Sequence, residues 1–175
     1  ILLQGLAGPV NEEQTKQLKM VNSSSHHLLQ LINEVLDISK IEAGQLTLEP
    51  SRFDIGQSID KVVKLVQPLI EAKGLVVRIE TGDDGQQVFQ DQRRVEQVLI
   101  NLINNAVKFT EKGEILIKCE SSPDYLTVSV QDTGIGIKTE DMSILFETFR
   151  QIETGLTRRY DGTGLGLSIR RSLIE

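Results

Sequence analysis

Three asparagines and a lysine lie close together in one stretch of the sequence, DQRRVEQVLINLINNAVKFT. Asn101, Asn105 and Lys108 are spaced four and three residues apart, so on a helix they share one face, with Asn104 on a neighbouring edge. A carboxamide offers a neutral oxygen to a metal ion and an amide to a phosphate, and a lysine offers that phosphate a point charge. The ordinary alternative is a helix with a polar, solvent-exposed face.

The element that must position these side chains is a helix predicted from Asp91 to Thr110. Carboxamides are weak helix formers, so their concentration here needs a reason other than helix propensity. Apolar residues recur three and four positions apart and predict one broad buried stripe, made of Val95, Val98, Leu99, Leu102, Ile103, Ala106 and Val107.

Two glycine-rich stretches follow this helix. Asp132-Thr133-Gly134-Ile135-Gly136 comes after the alternating, strand-like run 126–130, and Gly162-Thr163-Gly164-Leu165-Gly166-Leu167 opens an apolar C-terminal segment. Glycines at such places allow a ligand to approach the backbone closely. Each stretch alone is weak evidence for a ligand site, since glycines at a strand end usually form a turn. In order after the asparagine helix, they make a specific pattern.

This pattern resembles the ATP-binding domain of sensor histidine kinases, within the gyrase-like ATPase superfamily. The resemblance covers most of the chain, from about Gln14 to Glu175, and residues 31–44 are similar to the second dimerisation helix of those kinases. The matching segments are residues 101–109, 132–136, 145–149 and 162–167.

The resemblance implies that the chain binds ATP and Mg²⁺ and transfers a phosphoryl group from ATP to a histidine. Asn105 would be the Mg²⁺ ligand. Asn101 would support the metal and the triphosphate, and Lys108 would reach a phosphate oxygen, so that Asn101 and Lys108 are the predicted catalytic residues. Phosphoryl transfer depends mainly on positioning and charge neutralisation, which these side chains supply.

The same resemblance assigns the base and the remaining phosphate contacts. Asp132 would accept a hydrogen bond from the adenine amino group, and Gly134 and Gly136 would leave room for the purine. The other predicted nucleotide-binding residues are Phe149, Gln151, Gly162, Thr163, Gly164, Leu165 and Gly166.

Each of these assignments has an ordinary structural alternative. Asp132 could only cap a turn, and Lys108 could be a solvated charge. Glu96 could assist catalysis or be an exposed helical glutamate. Arg158 and Arg159 lie in a polar, glycine-bounded stretch that is typical of a mobile lid over residues 153–161.

The predicted fold class is α+β, with a long dimerisation helix followed by a two-layer α/β sandwich. The sheet of this sandwich would be mixed and largely antiparallel, with helices on one face, as in histidine-kinase ATPase domains. Residues 1–44 would form a partial dimerisation and histidine-phosphotransfer hairpin, 45–53 a linker, and 54–175 the ATP-binding domain. Its predicted elements are helices at 54–73, 91–110 and 164–175, a partly helical segment at 139–149, and strands at 75–80, 88–90, 113–119 and 125–130.

The predicted first helix runs from the N-cap Asn11 to about Ala43, before Gly44. Its apolar residues follow coiled-coil spacing, and one long helix cannot bury such a seam alone. We therefore expect a homodimer through a four-helix bundle. Packing of the seam against the chain's own second domain is the alternative.

Composition limits the partners. Hydrophobic content of 39%, a formal charge of −6 and a pI near 5.1 fit a globular protein and argue against a nucleic-acid surface. The single Cys119 lies in a strand-like run and is predicted to be a core thiol. One cysteine fits a reducing compartment, and the catalytic core is expected to be cytoplasmic. No apolar run approaches the roughly 20 residues that span a bilayer, which leaves any membrane link of a parent protein open.

Two features depart from the family pattern. The family's phosphoacceptor histidine lies on the first dimerisation helix in a segment like His-Glu-Leu-Arg-Thr-Pro, whereas here the only histidines are His26 and His27, off the predicted seam. The family's two terminal strands also have no counterpart before Glu175. The sequence is therefore expected to be a kinase core cut at both ends, which binds ATP weakly, does not phosphorylate itself, and serves a response-regulator receiver domain as partner.

Two other functional classes compete with this one. A gyrase-like or chaperone-like ATPase would carry a water-activating glutamate where Asn101 stands. A dimerising scaffold with a degenerate nucleotide site is the third class, against which the intact Asn105, Asp132 and 162–166 argue.

Overall fold

The computed structural model describes residues 1–82, 86–123 and 125–144 of the 175-residue chain. The chain divides into two compact units, Ile1–Leu46 and Thr47–Glu175. Its elements are a 3₁₀-helix at Leu2–Gln4, α1 at Glu12–Glu42, β1 at Ser51–Asp54, α2 at Ile55–Lys73, β2 at Val76–Thr81, β3 at Gln87–Gln90, α3 at Gln92–Phe109, β4 at Glu114–Ser121, β5 at Leu126–Asp132 and a 3₁₀-helix at Thr139–Ile144. The predicted lid at 153–161, the helix at 164–175 and residues 145–149 lie outside the described residues.

Helix α1 is the main element of the first unit, and its predicted extent is confirmed. Asn11 and Gln14 form a reciprocal capping box at its start, and Gly44 adopts φ of 63° just after its end. Its apolar seam is exposed in the single chain, with Leu28 58% and Ile32 48% accessible. In the described part of the chain, no helix is long and apolar enough to cross a membrane.

Two small sheets belong to the second unit. Strands β1 and β3 pair in antiparallel fashion. The other sheet has the order β2-β4-β5, in which β2 and β4 are parallel and β4 and β5 are antiparallel. Strand β1 begins inside the segment predicted as linker, and its Phe53 is buried in the core.

One hydrophobic core joins the two helices to the three-stranded sheet. Ile59 of α2, Ile103 of α3, and Ile115 and Ile117 of β4 are fully buried within it. Burying each such side chain contributes about 1.5–3 kcal/mol. Cys119 lies in the same core, as predicted, and burial raises the pKa of its thiol. The predicted α+β class with helices packed on a mixed sheet is confirmed.

The buried stripe of α3 is narrower than predicted. Leu99, Ile103, Ala106 and Val107 are buried, whereas Val98 and Leu102 are only half-buried. A helix turns by roughly 100° per residue, which places Val98 and Leu102 on the side of Asn101 and Asn105, away from the centre of the core. The prediction that these two residues belong to the core is therefore wrong, and they border the polar face instead.

Asp91 links the start of α3 to the segment before β1. Its Oδ1 accepts a hydrogen bond from the N–H of Arg94 at 3.1 Å, and its Oδ2 accepts one from the N–H of Glu49 at 3.1 Å. Burial alone would raise the pKa of Asp91. The N–H groups of Glu49 and Arg94, together with the charge of Arg94, outweigh burial and hold the pKa below its ordinary value.

We expect Asp91→Ala to lower the free energy of unfolding at neutral pH by about 1–2 kcal/mol, because it removes a helix cap. The charge contributes stability above the unfolded pKa of about 3.9, and this contribution is lost as pH falls through the lower folded value. The difference between parent and variant, measured by denaturant unfolding, should therefore shrink in acid. Asp91→Asn keeps the capping oxygen and should lose less. A difference that is absent at neutral pH would contradict this role.

Candidate functional site

The polar face of α3 contains the three predicted side chains together. Asn101, Asn105 and Lys108 are all partly buried, and they lie along one side of the last turns of the helix. The Nδ2 atom of Asn101 is buried and has no hydrogen-bond partner among the described residues. A buried amide without a partner is costly, which makes this atom a candidate donor to a bound group.

Asp132 is the last residue of β5, and it lies on the face of the sheet that packs against the helices. It pairs with Ile115 of β4, and side chains directly opposite on paired strands lie on one face. Ile115 is fully buried, which identifies that face as the core side. The Oδ1 atom of Asp132 accepts a hydrogen bond from the N–H of Gly134 at 2.8 Å. Among the described residues, no donor reaches its second oxygen.

The turn formed by residues 132–136, called here the Asp132 turn or glycine turn, packs against the C-terminal end of α3. The N–H of Ile135 donates to the carbonyl oxygen of Phe109 at 3.4 Å. A Cβ atom on Gly134 would lie 2.4 Å from the same oxygen and 2.8 Å from Oδ1 of Asp132, so a side chain at this position would collide with the helix end. Glycine is required here for packing of the turn against α3, in addition to the predicted room for a purine. The nearby Gly136 instead serves a left-handed backbone conformation, with φ of 66°.

Thr133 anchors this turn to the start of β4, a role that the residue types did not reveal. Its N–H donates to the carbonyl of Glu114 at 3.2 Å, and its Oγ1 accepts from the N–H of Glu114 at 3.0 Å. Gly113, with φ of 128°, leaves the space that Oγ1 occupies, because a Cβ there would be 2.1 Å from it. The only sequence signal was an isolated glycine just before a strand.

Lys108 lies beside the same helix end. Its Nζ atom is 5.1 Å from the centre of the Phe109 ring, a cation–π contact. Its predicted phosphate contact stays a prediction.

Glu96 belongs to a different face of α3. Its carboxylate accepts hydrogen bonds from Nζ of Lys61 at 2.6 Å and from Nε2 of Gln92 at 3.0 Å, and the Oγ of Ser58 lies 3.5 Å away. The side chain is only 13% exposed. Glu96 is nine positions from Asn105, about half a turn round the helix. Both interpretations of Glu96 are therefore wrong: it is neither an exposed charge nor next to the site, but links α2 to α3.

The residues present fit a magnesium nucleotide. Among the described residues there is no group of three or more His, Cys, Asp or Glu side chains that could hold a metal ion by themselves. A Mg²⁺ ion on the α3 face could take a protein oxygen from the predicted ligand Asn105 and its other oxygens from phosphate and water, since Mg²⁺ keeps several waters and binds substrate phosphates. The unpartnered amide of Asn101 and the free oxygen of Asp132 are the groups that such a ligand would engage.

Several predicted residues lie outside the part of the chain that the structure describes. They are Phe149, Gln151, Gly162, Thr163, Gly164, Leu165 and Gly166, together with Arg158 and Arg159.

Two family models match the chain. Residues 1–44 match the His Kinase A (phospho-acceptor) domain. Residues 90–175 match the histidine kinase-, DNA gyrase B- and HSP90-like ATPase domain, which includes α3 and the Asp132 turn.

Known proteins agree with these matches. The autoinducer 2 sensor kinase/phosphatase LuxQ of Vibrio cholerae is 37% identical over 172 residues, which cover 95% of this chain and 20% of LuxQ, so the chain spans about a fifth of that relative. A crystal structure of full-length ShkA in complex with AMPPNP has a TM-score of 0.79 and 30% identity, covering 98% of this chain and 35% of ShkA. The histidine kinase AdeS of Acinetobacter baumannii has a TM-score of 0.72 and 30% identity, covering 98% of this chain and 79% of AdeS. The family matches, the relatives and the similar structures show that the chain belongs to the histidine kinases. It combines a segment of their phosphoacceptor domain with their ATPase domain.

Proposed function

We propose that this chain is the ATP-binding catalytic core of a two-component sensor histidine kinase. It would transfer the γ-phosphoryl group of ATP to a histidine, for relay to an aspartate of a response-regulator receiver domain. The observation that carries this proposal is the seating of the Asp132 turn on the end of α3. This contact supports the proposal because the turn that follows Asp132, the proposed base-reading residue, packs against the carbonyl of Phe109 at the end of the helix that contains the asparagines and Lys108.

Within this site, each residue has a distinct task. Bound Mg-ATP would supply the phosphoryl group and the metal charge that neutralises it. The oxygen of Asn105 would hold the metal, the amide of Asn101 would donate to the triphosphate, and Lys108 would add positive charge. The free oxygen of Asp132 would accept the amino hydrogen of adenine.

The exposed seam of α1 supports a dimer as the assembled form. Val21, Leu28, Ile32, Val35 and Leu36 are all at least 45% exposed in the single chain. Such a long apolar seam is stable when it packs against other helices. We infer a homodimer through a helical bundle, with the receiver domain as the second protein partner.

The experiment supplies the chain with γ-labelled ATP, Mg²⁺ and a separate kinase phosphoacceptor domain that contains its histidine. We expect label on the acceptor that is acid-labile and base-stable, as phosphohistidine is, and that is absent when this histidine is replaced by glutamine. ATP binding with phosphate release and no labelled acceptor would instead assign the chain to the gyrase-like ATPases. No detectable ATP binding would identify a degenerate scaffold. Either of these results would overturn the proposal.

A further inference from the structure

The last four carbonyl groups of α3 are all satisfied, and their partners come from different parts of the chain. A helix C-terminus leaves four carbonyls without intrahelical donors. Here the N–H of Thr110 donates to Ala106, and the N–H of Ile135 in the glycine turn donates to Phe109. The two carbonyls between them, those of Val107 and Lys108, accept from one side chain that no motif identified.

That side chain is Lys73, the last residue of α2. Its Nζ atom lies 2.6 Å from the oxygen of Val107, 2.9 Å from that of Lys108 and 3.1 Å from that of Thr110. An ammonium group has three hydrogens to donate, and three carbonyls converge on it here. Its positive charge also lies at the negative end of the α3 dipole. Gly74, with φ of 64°, ends α2 directly after this lysine.

Lys73 fixes the end of α3 at the point where the two halves of the proposed site meet. Lys73 holds the turn of α3 that contains Lys108 and follows Asn105, while the neighbouring carbonyl of Phe109 receives the Asp132 turn. The phosphate end and the base end of the site therefore meet at one short segment, 107–110. Misplacing binding groups by about 1 Å is enough to weaken a site strongly.

We propose that Lys73 is a positioning residue for the nucleotide site, which sets the distance between the phosphate-binding face of α3 and the base-binding Asp132. This inference rests on the proposed function. Lys73 acts through the backbone of α3 and does not itself contact the nucleotide.

Lys73→Met tests the proposal, because the affinity for ATP depends on the distance between the two ends of the site, whereas the affinity for adenosine does not. Adenosine uses only the Asp132 end, whereas ATP gains from occupying both ends at once. We expect the dissociation constant of Mg-ATP to rise about tenfold and that of adenosine to stay within about twofold of the parent value. Both constants can be measured by NMR titration of the 175-residue chain, well below the melting temperature of each variant.

Lys64→Met is the matched control, since Lys64 is an exposed lysine on the same helix, and it should change neither constant. If Lys73→Met weakens the binding of both ligands equally, Lys73 only stabilises the fold, and if both dissociation constants stay unchanged, Lys73 has no role. Each of these results overturns the proposal.

If Lys73→Met does not fold, Lys73→Arg is the deciding variant. The rigid guanidinium fork cannot place three donors as an ammonium does, so ATP affinity alone should fall about threefold, and parent-like binding of both ligands would overturn the inference. A parent chain that binds no ATP would refute the proposed function instead, before any variant is compared.

Discussion

Asn105→Ala is expected to remove the Mg²⁺-dependent part of ATP binding. Asn105 lies between Asn101 and Lys108 on the partly buried polar face of α3, and its carboxamide oxygen is the predicted metal ligand. The parent chain should bind ATP much more tightly with Mg²⁺ than without it. The variant should lose this gain, a reduction of about 100-fold or more when a metal ligand is lost. Calorimetric titration with and without Mg²⁺ measures the gain directly.

The fold should survive this substitution, which makes the result easy to interpret. Asn105 is not part of the core, and alanine is a better helix former than asparagine, so stability should stay equal or rise by about 0.5 kcal/mol. Asn104→Ala makes the same chemical change one residue away, on the edge of the face, and should keep the Mg²⁺ dependence. An Asn105→Ala chain whose affinity still responds to Mg²⁺ as the parent does would remove Asn105 from the site.

Local periodicity explains why much of the fold was predictable. The limits of α1, α2 and α3 follow from caps that the sequence shows directly, namely Asn11, Asp54 and Asp91, and from the spacing of apolar residues. The antiparallel pairing of β4 with β5 follows from two alternating runs joined by a short turn. The same reasoning overestimated the buried stripe of α3. Periodicity shows that Val98 and Leu102 are apolar neighbours of that stripe, but it does not show which neighbours the sheet reaches.

Contacts between distant residues account for what the sequence did not show. Lys73 is 34–37 positions from the carbonyls that it caps, and its place at the end of α2, before Gly74, does not show that those carbonyls lie at the end of α3. Glu96 likewise has two of its partners, Ser58 and Lys61, on α2. A side chain at Gly134 would collide with a carbonyl at the end of another element, and the local motif does not reveal this packing reason for glycine.

Asp132→Asn is expected to change which base the site prefers. In the structure Oδ1 of Asp132 receives the N–H of Gly134, and an asparagine oxygen can keep that bond. The second oxygen, the predicted adenine acceptor, would become an NH₂ group that faces the adenine amino group, so donor would meet donor. Losing a hydrogen bond to a charged group costs about 1.5–3 kcal/mol, so ATP affinity should fall roughly 10- to 150-fold. Inosine triphosphate presents an acceptor oxygen at that position, so it should lose less or gain.

The comparison with Asp132→Ala separates base recognition from simple turn capping. If Asp132 only capped the turn, Asp132→Asn would keep the cap and bind ATP as the parent does, and only Asp132→Ala would lose affinity. If Asp132 reads adenine, both variants lose ATP affinity. Asp132→Ala then brings the preference ratio of the two nucleotides toward parity, whereas Asp132→Asn shifts it further toward inosine triphosphate, because only asparagine supplies a new donor. Competition titrations of the two nucleotides against the parent and both variants give the preference ratio. An unchanged ratio in Asp132→Asn, with ATP affinity retained, would leave Asp132 as a structural residue of the turn seated on α3.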